Sequence, residues 1–157
     1  VLEVKVAKVA IDLNSKMPVI ILKEEKGEKT FPLWTGVSEA QAIVFALENV
    51  TPVRPLTHDL ARSLVEKLHG KLDKVVIIDL IGNTLYARIL IKREGENVEV
   101  DSRPSDAIAL ALRFKVPIFI QERVLNKVAA ASKPIKDEEV EDFKKKLKDL
   151  KPEDFAR

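Results

Sequence analysis

The sequence predicts an α+β domain: a mixed, partly curled β-sheet with a central buried helix and peripheral helices. Three observations carry this. Segments 2–13, 74–80 and 85–92 alternate apolar and polar residues with the period of a half-buried strand. Ala107-Ile108-Ala109-Leu110-Ala111-Leu112 is apolar all round, which demands a buried helix. The element order is three strands, two helices, a three-stranded meander, a helix, a strand and further helices, not the strict alternation of a doubly wound fold.

Along the first strand the apolar positions are Leu2, Val4 and Val6, then Val9, Ile11 and Leu13. The phase slips once, which predicts a β-bulge near Ala7–Lys8. Met17 to Leu22 reads as a second strand, and Thr30 to Leu33 as a short third one that Pro32 confines to an edge. Ser38 with Gln41 three residues on fits a capping box, followed by an apolar stripe at Ala42, Ile43, Ala46 and Leu47. Thr51-Pro52-Val53-Arg54-Pro55 cannot be helical and forms a stiff loop. The next helix starts with Thr57 as N-cap, buries Leu60, Leu64, Val65 and Leu68, and stops at Gly70 as the C′ residue. Gly82-Asn83 joins the two clearest strands in a type II′ hairpin. Val98 to Asp101 extends the meander, Pro104 to Phe114 is the central helix, Val116 to Ile120 a strand, and Glu122 to Ala131 a short helix.

The 157 residues suit one domain, taken as 1–132, with 133–157 as a charged amphipathic helical tail. That tail has eight basic and eight acidic residues, with Val140, Phe143, Leu147 and Leu150 at helical spacing. The absence of Cys excludes disulfides, thiolate metal sites and a Cys nucleophile, and two His exclude a histidine-rich metal site. No apolar run approaches the ~20 residues of a membrane span. The N-terminal alternation of Val and Lys is no signal peptide. A soluble, cytoplasmic protein is expected. Abundant Lys and Glu without Cys resemble a heat-adapted composition. A net charge of only +2 does not by itself mark a nucleic-acid binder.

Two segments look alike. Arg54-Pro55-Leu56-Thr57-His58-Asp59 and Arg103-Pro104-Ser105-Asp106 each set Arg-Pro, a hydroxyl and Asp at a helix start. Helix N-termini favour anions, arginine forks clamp phosphate oxygens, and carboxylates hold divalent metals. The plainer reading makes Thr57 and Ser105 N-caps and Asp59 and Asp106 dipole partners. His58 is the one candidate general base near neutral pH. Asp79 and Asp101 are charges at strand ends, Glu39 is a first-turn dipole partner, and Trp34 can stack a base or anchor a corner. No serine elbow, phosphate loop, dinucleotide fingerprint or zinc motif is present.

Together with Phe31-Pro32-Leu33-Trp34-Thr35-Gly36 and Glu39-Ala40-Gln41-Ala42-Ile43, these two segments give a chain that resembles the bifunctional nuclease domain family across about residues 1–130. It departs from the family pattern in having Thr35 where an aliphatic residue is usual. The resemblance implies a nuclease cutting both RNA and DNA, with nucleic acid as partner. Cutting both forbids dependence on a 2′-hydroxyl, so water must be the nucleophile. In that scheme His58 activates water, Arg54 and Arg103 stabilise the transition state, and Asp59 and Asp106 hold a divalent metal, Mg or Mn. Thr57, Ser105 and Trp34 contact substrate. The competing reading is a non-catalytic binding module for a phosphorylated ligand, nucleic acid or protein partner. A homodimer built on the proline-constrained edge and the tail is compatible with both.

Overall fold

The computed structural model describes residues 1–131. Strands β1 (Leu2–Ile11), β2 (Pro18–Glu24) and β3 (Thr30–Trp34) form one antiparallel meander, and β4 (Gly70–Ile81), β5 (Thr84–Arg93) and β6 (Glu96–Ser102) form a second. The three-residue β7 (Ile118–Ile120) lies between them, antiparallel to β1 and parallel to β4. The result is an open seven-stranded mixed sheet in the order β3-β2-β1-β7-β4-β5-β6. Helices α1 (Val37–Leu47), α2 (Thr57–Lys67), α3 (Pro104–Phe114) and α4 (Glu122–Ala131) complete the α+β domain. The tail from residue 133 lies outside the described residues.

Strand pairing explains the bulge. The register of β1 on β2 shifts between Val6 and Lys8, with Ala7 unpaired. Because side chains alternate, this extra residue keeps Val9 and Ile11 on the face already set by Val4 and Val6. Ile20, Leu22, Phe31 and Leu33 share that face through their partners, as do Ile118, Val75, Ile77, Ala87 and Ile89. These residues join α1, α3 and α4 in one core. Two further register shifts in β4, after Leu72 and after Ile77, serve the same end. The opposite face carries Lys5, Lys23, Lys74 and Arg88 and faces water along much of its area.

α3 is central, as its apolar sequence requires. It packs on α1, α2, β4 and β5, and Ala107, Ile108, Ala109 and Ala111 are fully buried. The small residues let neighbouring helices and the sheet approach closely. β3 is an edge strand containing Pro32, as expected. The Gly82-Asn83 turn has positive φ at Gly82 only, which fits the II′ form.

Several expectations need correction. α1 is capped by Gly36, not Ser38, and no side-chain cap bond forms; Gln41 is buried with Nε2 unpartnered. Leu56, not Thr57, is the N-cap of α2, and Arg103, not Ser105, that of α3. At the end of α2 the left-handed residue is His69, with φ of 65°, while Gly70 already begins β4. Gly70 is needed for space: a Cβ there would lie 3.0 Å from Val65 Cγ1 and 3.2 Å from the Val65 carbonyl oxygen. The largest correction concerns α2 itself. No residue of α2 is fully buried, and Leu60, Leu64 and Leu68, expected in the core, are 53%, 54% and 62% exposed. Of the expected face only Val65 turns inward, joined by Ala61, and both are half-buried, because α2 rides on α3 at the periphery.

Candidate functional site

The starts of α2 and α3 meet. His58 Nε2 lies 2.8 Å from Asp106 Oδ1, linking residues 48 apart in sequence. The other carboxylate oxygen of Asp106 accepts from Arg103 Nε at 2.7 Å. Arg103 also donates from Nη2 to Glu39 Oε1, at 2.9 Å, on the first turn of α1. Gly36 makes room for this, since the Glu39 carboxylate folds back over the position a Cβ would occupy. Three helix starts thus converge through His58, Asp106, Arg103 and Glu39.

The electrostatics follow from the geometry. The hydrogen bond from His58, then the Arg103 guanidinium, hold the Asp106 carboxyl below its ordinary range against the opposing effect of burial. Hydrogen bonding to Asp106 and then Glu39 raises Arg103 further above its already high value. Asp106 is therefore a carboxylate at neutral pH and can only accept. In the neutral imidazole the proton must then sit on Nε2, leaving Nδ1 as the acceptor. Nδ1 bonds to no described residue. The His58 side chain is only 12% exposed and Arg103 is 66% exposed, so a largely covered imidazole lies near an accessible guanidinium.

The remaining sequence-derived candidates divide. Arg54 is exposed and makes no ion pair with any described residue, so its charge is available. Thr57 is exposed in the first turn of α2, whereas Ser105 is buried in that of α3. Trp34 is not brought to this cluster. It lies on the sheet face opposite the core and donates from its indole N–H to Asp12 Oδ2 at 3.1 Å. Asp79 and Asp101 stay apart from Asp106: Asp79 accepts from the Leu80 N–H and faces Arg123 and Lys127, and Asp101 pairs with Arg88.

Asp59 has a different task. Its Oδ2 accepts the Leu56 N–H at 3.0 Å, closing the start of α2, and its Oδ1 takes Arg113 Nε at 2.9 Å. Arg113 belongs to the buried stretch of α3 and also donates to the carbonyls of Ala42 and Ala109. The pair ties α1, α2 and α3 together.

This bears on metal binding. Asp59 and Asp106 meet α3 at positions 113 and 106, two helical turns or about 10 Å apart along its axis. Every carboxylate oxygen of the two is already engaged. Among the described residues no group of three or more His, Asp or Glu could hold an ion. The two aspartates do not form one divalent-ion site in this arrangement.

Two participants escaped sequence reasoning. Glu39 reads as a dipole partner because its target lies 64 residues away. Arg113 did carry a signal: a cation closing a buried apolar helix requires a counter-charge, but the sequence does not say which.

Comparison with known proteins adds the context. A family profile described as "Bifunctional nuclease domain" matches residues 20–133. An uncharacterized protein of Mycobacterium tuberculosis (strain ATCC 25618 / H37Rv) is 39% identical over 98% of this chain and 97% of its own length. Bifunctional nuclease 1 of Oryza sativa subsp. indica is 28% identical over 67% of this chain, but only 33% of the rice protein is covered. Bifunctional nuclease 1 of Arabidopsis thaliana is 28% identical, again over 67% of this chain and 34% of the plant protein. No helix among the described residues is long and apolar enough to cross a membrane.

Proposed function

The chain belongs to the bifunctional nuclease domain family, and from that premise we propose that it hydrolyses phosphodiester bonds in DNA and RNA at the convergence of α2 and α3. The observation that supports this best is the 2.8 Å contact between His58 Nε2 and Asp106 Oδ1. It fixes the tautomer that leaves Nδ1 free to take a proton from water.

In this reading the water oxygen attacks phosphorus as its proton passes to His58 Nδ1. Asp106 stabilises the imidazolium that forms, and the departing oxygen leaves with its electron pair. Arg103, exposed at the mouth, and Arg54 stabilise charge on the non-bridging oxygens. Glu39 and Asp106 position the Arg103 fork. Nothing in the scheme needs a 2′-hydroxyl. No step is routed through Mg or Mn, because Asp59 and Asp106 do not share a site.

One observation favours the second reading, a non-catalytic module for a phosphorylated ligand or nucleic acid. Arg103 lies between two carboxylates, which offset much of its charge.

The experiment compares wild type, His58→Ala and Arg103→Ala on single-stranded DNA and RNA, with Mg²⁺, Mn²⁺ or EDTA. All three are purified identically and checked for folding by circular dichroism. Wild type is expected to cut both substrates, and loss of the base to slow cutting about 100-fold or more. Equal cutting by all three sinks the assignment. Binding without cutting under every condition favours the second reading.

A further inference from the structure

A cleft of about 630 Å³ opens beside the C-terminal ends of α1 and α3, walled by the 49–55 loop and by α2. Its size falls among small-molecule sites. It belongs neither to the His58 cluster nor to the reading built on it. Pro52 and Pro55 stiffen its wall, so the cavity is largely preformed.

Its floor holds an unusual donor. The Arg113 side chain is 7% exposed, with Nε on Asp59 and Nη1 on two backbone carbonyls. Nη2 donates to no described residue. Among the described residues only Gln41 Nε2 is both sealed from solvent and unpartnered, so Nη2 is not sealed, and Arg113 is one of the residues that line the cleft. A guanidinium is charged at any ordinary pH, so Nη2 keeps charged donors to offer an anion. Lys115 stands at the rim without an ion pair to any described residue, and Arg62 is anchored through Nε to Glu66. Three cations face two carboxylates, Asp59 and Glu66, leaving an excess of one positive charge. The rest of the lining mixes the polar residues Asn49, Thr51 and Ser63 with apolar ones, and Val50 and Val53 on the loop are 41% and 84% exposed.

We propose that this cleft binds a small organic anion: one phosphate or carboxylate group on a body small enough to lie against the 49–55 loop. Arg113 Nη2 and Lys115 hold the anion, and Val50 and Val53 cover the body. The single excess positive charge fits one isolated anionic group better than a polyanionic strand. Because Arg113 is bonded to Asp59, and Asp59 caps α2, an occupant here also touches the support of that helix.

The test is titration of the full chain, followed by amide NMR, with adenosine 5′-monophosphate, inorganic phosphate and uncharged adenosine. The monophosphate is expected to give saturable shifts at Thr51, Ser63 and Lys115 in the millimolar range or below. Phosphate should act more weakly at Lys115 alone, and adenosine should act least. Lys115 has φ of 56°, so Lys115→Asn removes the charge with a residue that tolerates that backbone. It should weaken monophosphate binding about tenfold. No saturable shift at these amides with any probe overturns the proposal. So does adenosine matching the monophosphate with Lys115→Asn inert, which removes the anion from the argument. Shifts confined to residues 54–59 and 103–106 also overturn it, while favouring the phosphate reading of the helix starts. Loss of nuclease activity in the His58 experiment leaves this outcome unaffected.

Discussion

Two aspartates at equivalent places in two similar segments do different work. Asp106 sits between His58 and Arg103, and its carboxyl is held below the ordinary value near 3.8. A lowered folded-state pKa adds stability that is present in full above the unfolded value and is lost as pH falls through the folded one. The stability difference between wild type and Asp106→Asn should therefore be largest above about pH 5 and shrink progressively below about pH 4. Urea unfolding of both proteins from neutral to acid pH measures it. Asp12 and Asp79 are also lowered, but both are shared by the two proteins, so their contributions cancel in the difference and the His58–Asp106–Arg103 cluster remains. A gap that stays constant with pH would mean Asp106 draws no net stability from its ionised form. His58, Asp106 and Arg103 could be nominated from sequence because each stands at a helix start. That Glu39 completes the cluster could not, since helix capping gives no long-range pairing.

The same limit operates among the elements. Periodicity located every strand and helix within a few residues, and even the bulge at Ala7, because a phase slip is written in the chain. It misplaced the caps, since Thr57 and Ser105 have the right chemistry but Pro55 and Pro104 shift where each helix begins. It also placed Leu60, Leu64 and Leu68 inside, because an apolar stripe tells a helix which side is apolar and not whether anything covers it. What holds α2 down is instead polar. Asp59 caps its start and pairs with Arg113, whose side chain is 7% exposed. Removing one member of a buried pair strands the other, so Asp59→Ala should cost about 3 kcal/mol or more. Asp59→Asn, which keeps an acceptor for the Leu56 N–H, should cost less. Equilibrium urea unfolding reads both. If Asp59→Ala is no worse than a surface substitution, the pair is not what anchors α2.

At the scale of the whole molecule, the sheet is two meanders joined by a three-residue strand. β7 pairs Ile118 with Val4 and Val75, and Ile120 with Leu2 and Ile77. No other strand links the β1–β3 meander to the β4–β6 meander among the described residues. The chain reaches this position only after α3 has crossed the core, so the junction depends on contacts between residues more than a hundred positions apart. Loop-closure entropy opposes such contacts until packing offsets it. Ile118 and Ile120 are 4% and 2% exposed, and Ile118→Ala should cost about 2–5 kcal/mol through lost burial and the cavity left behind. The single Trp lies in β3, at the far edge of the first meander. Its fluorescence reports that half, while far-ultraviolet circular dichroism reports the whole chain. If β7 makes the sheet one cooperative unit, the two signals should coincide during urea unfolding of the wild type. In Ile118→Ala the shared midpoint should fall with the signals still together. Separation of the signals in the variant alone would show that a three-residue strand is the coupling between two otherwise independent meanders. Separation already in the wild type would refute the single-unit description.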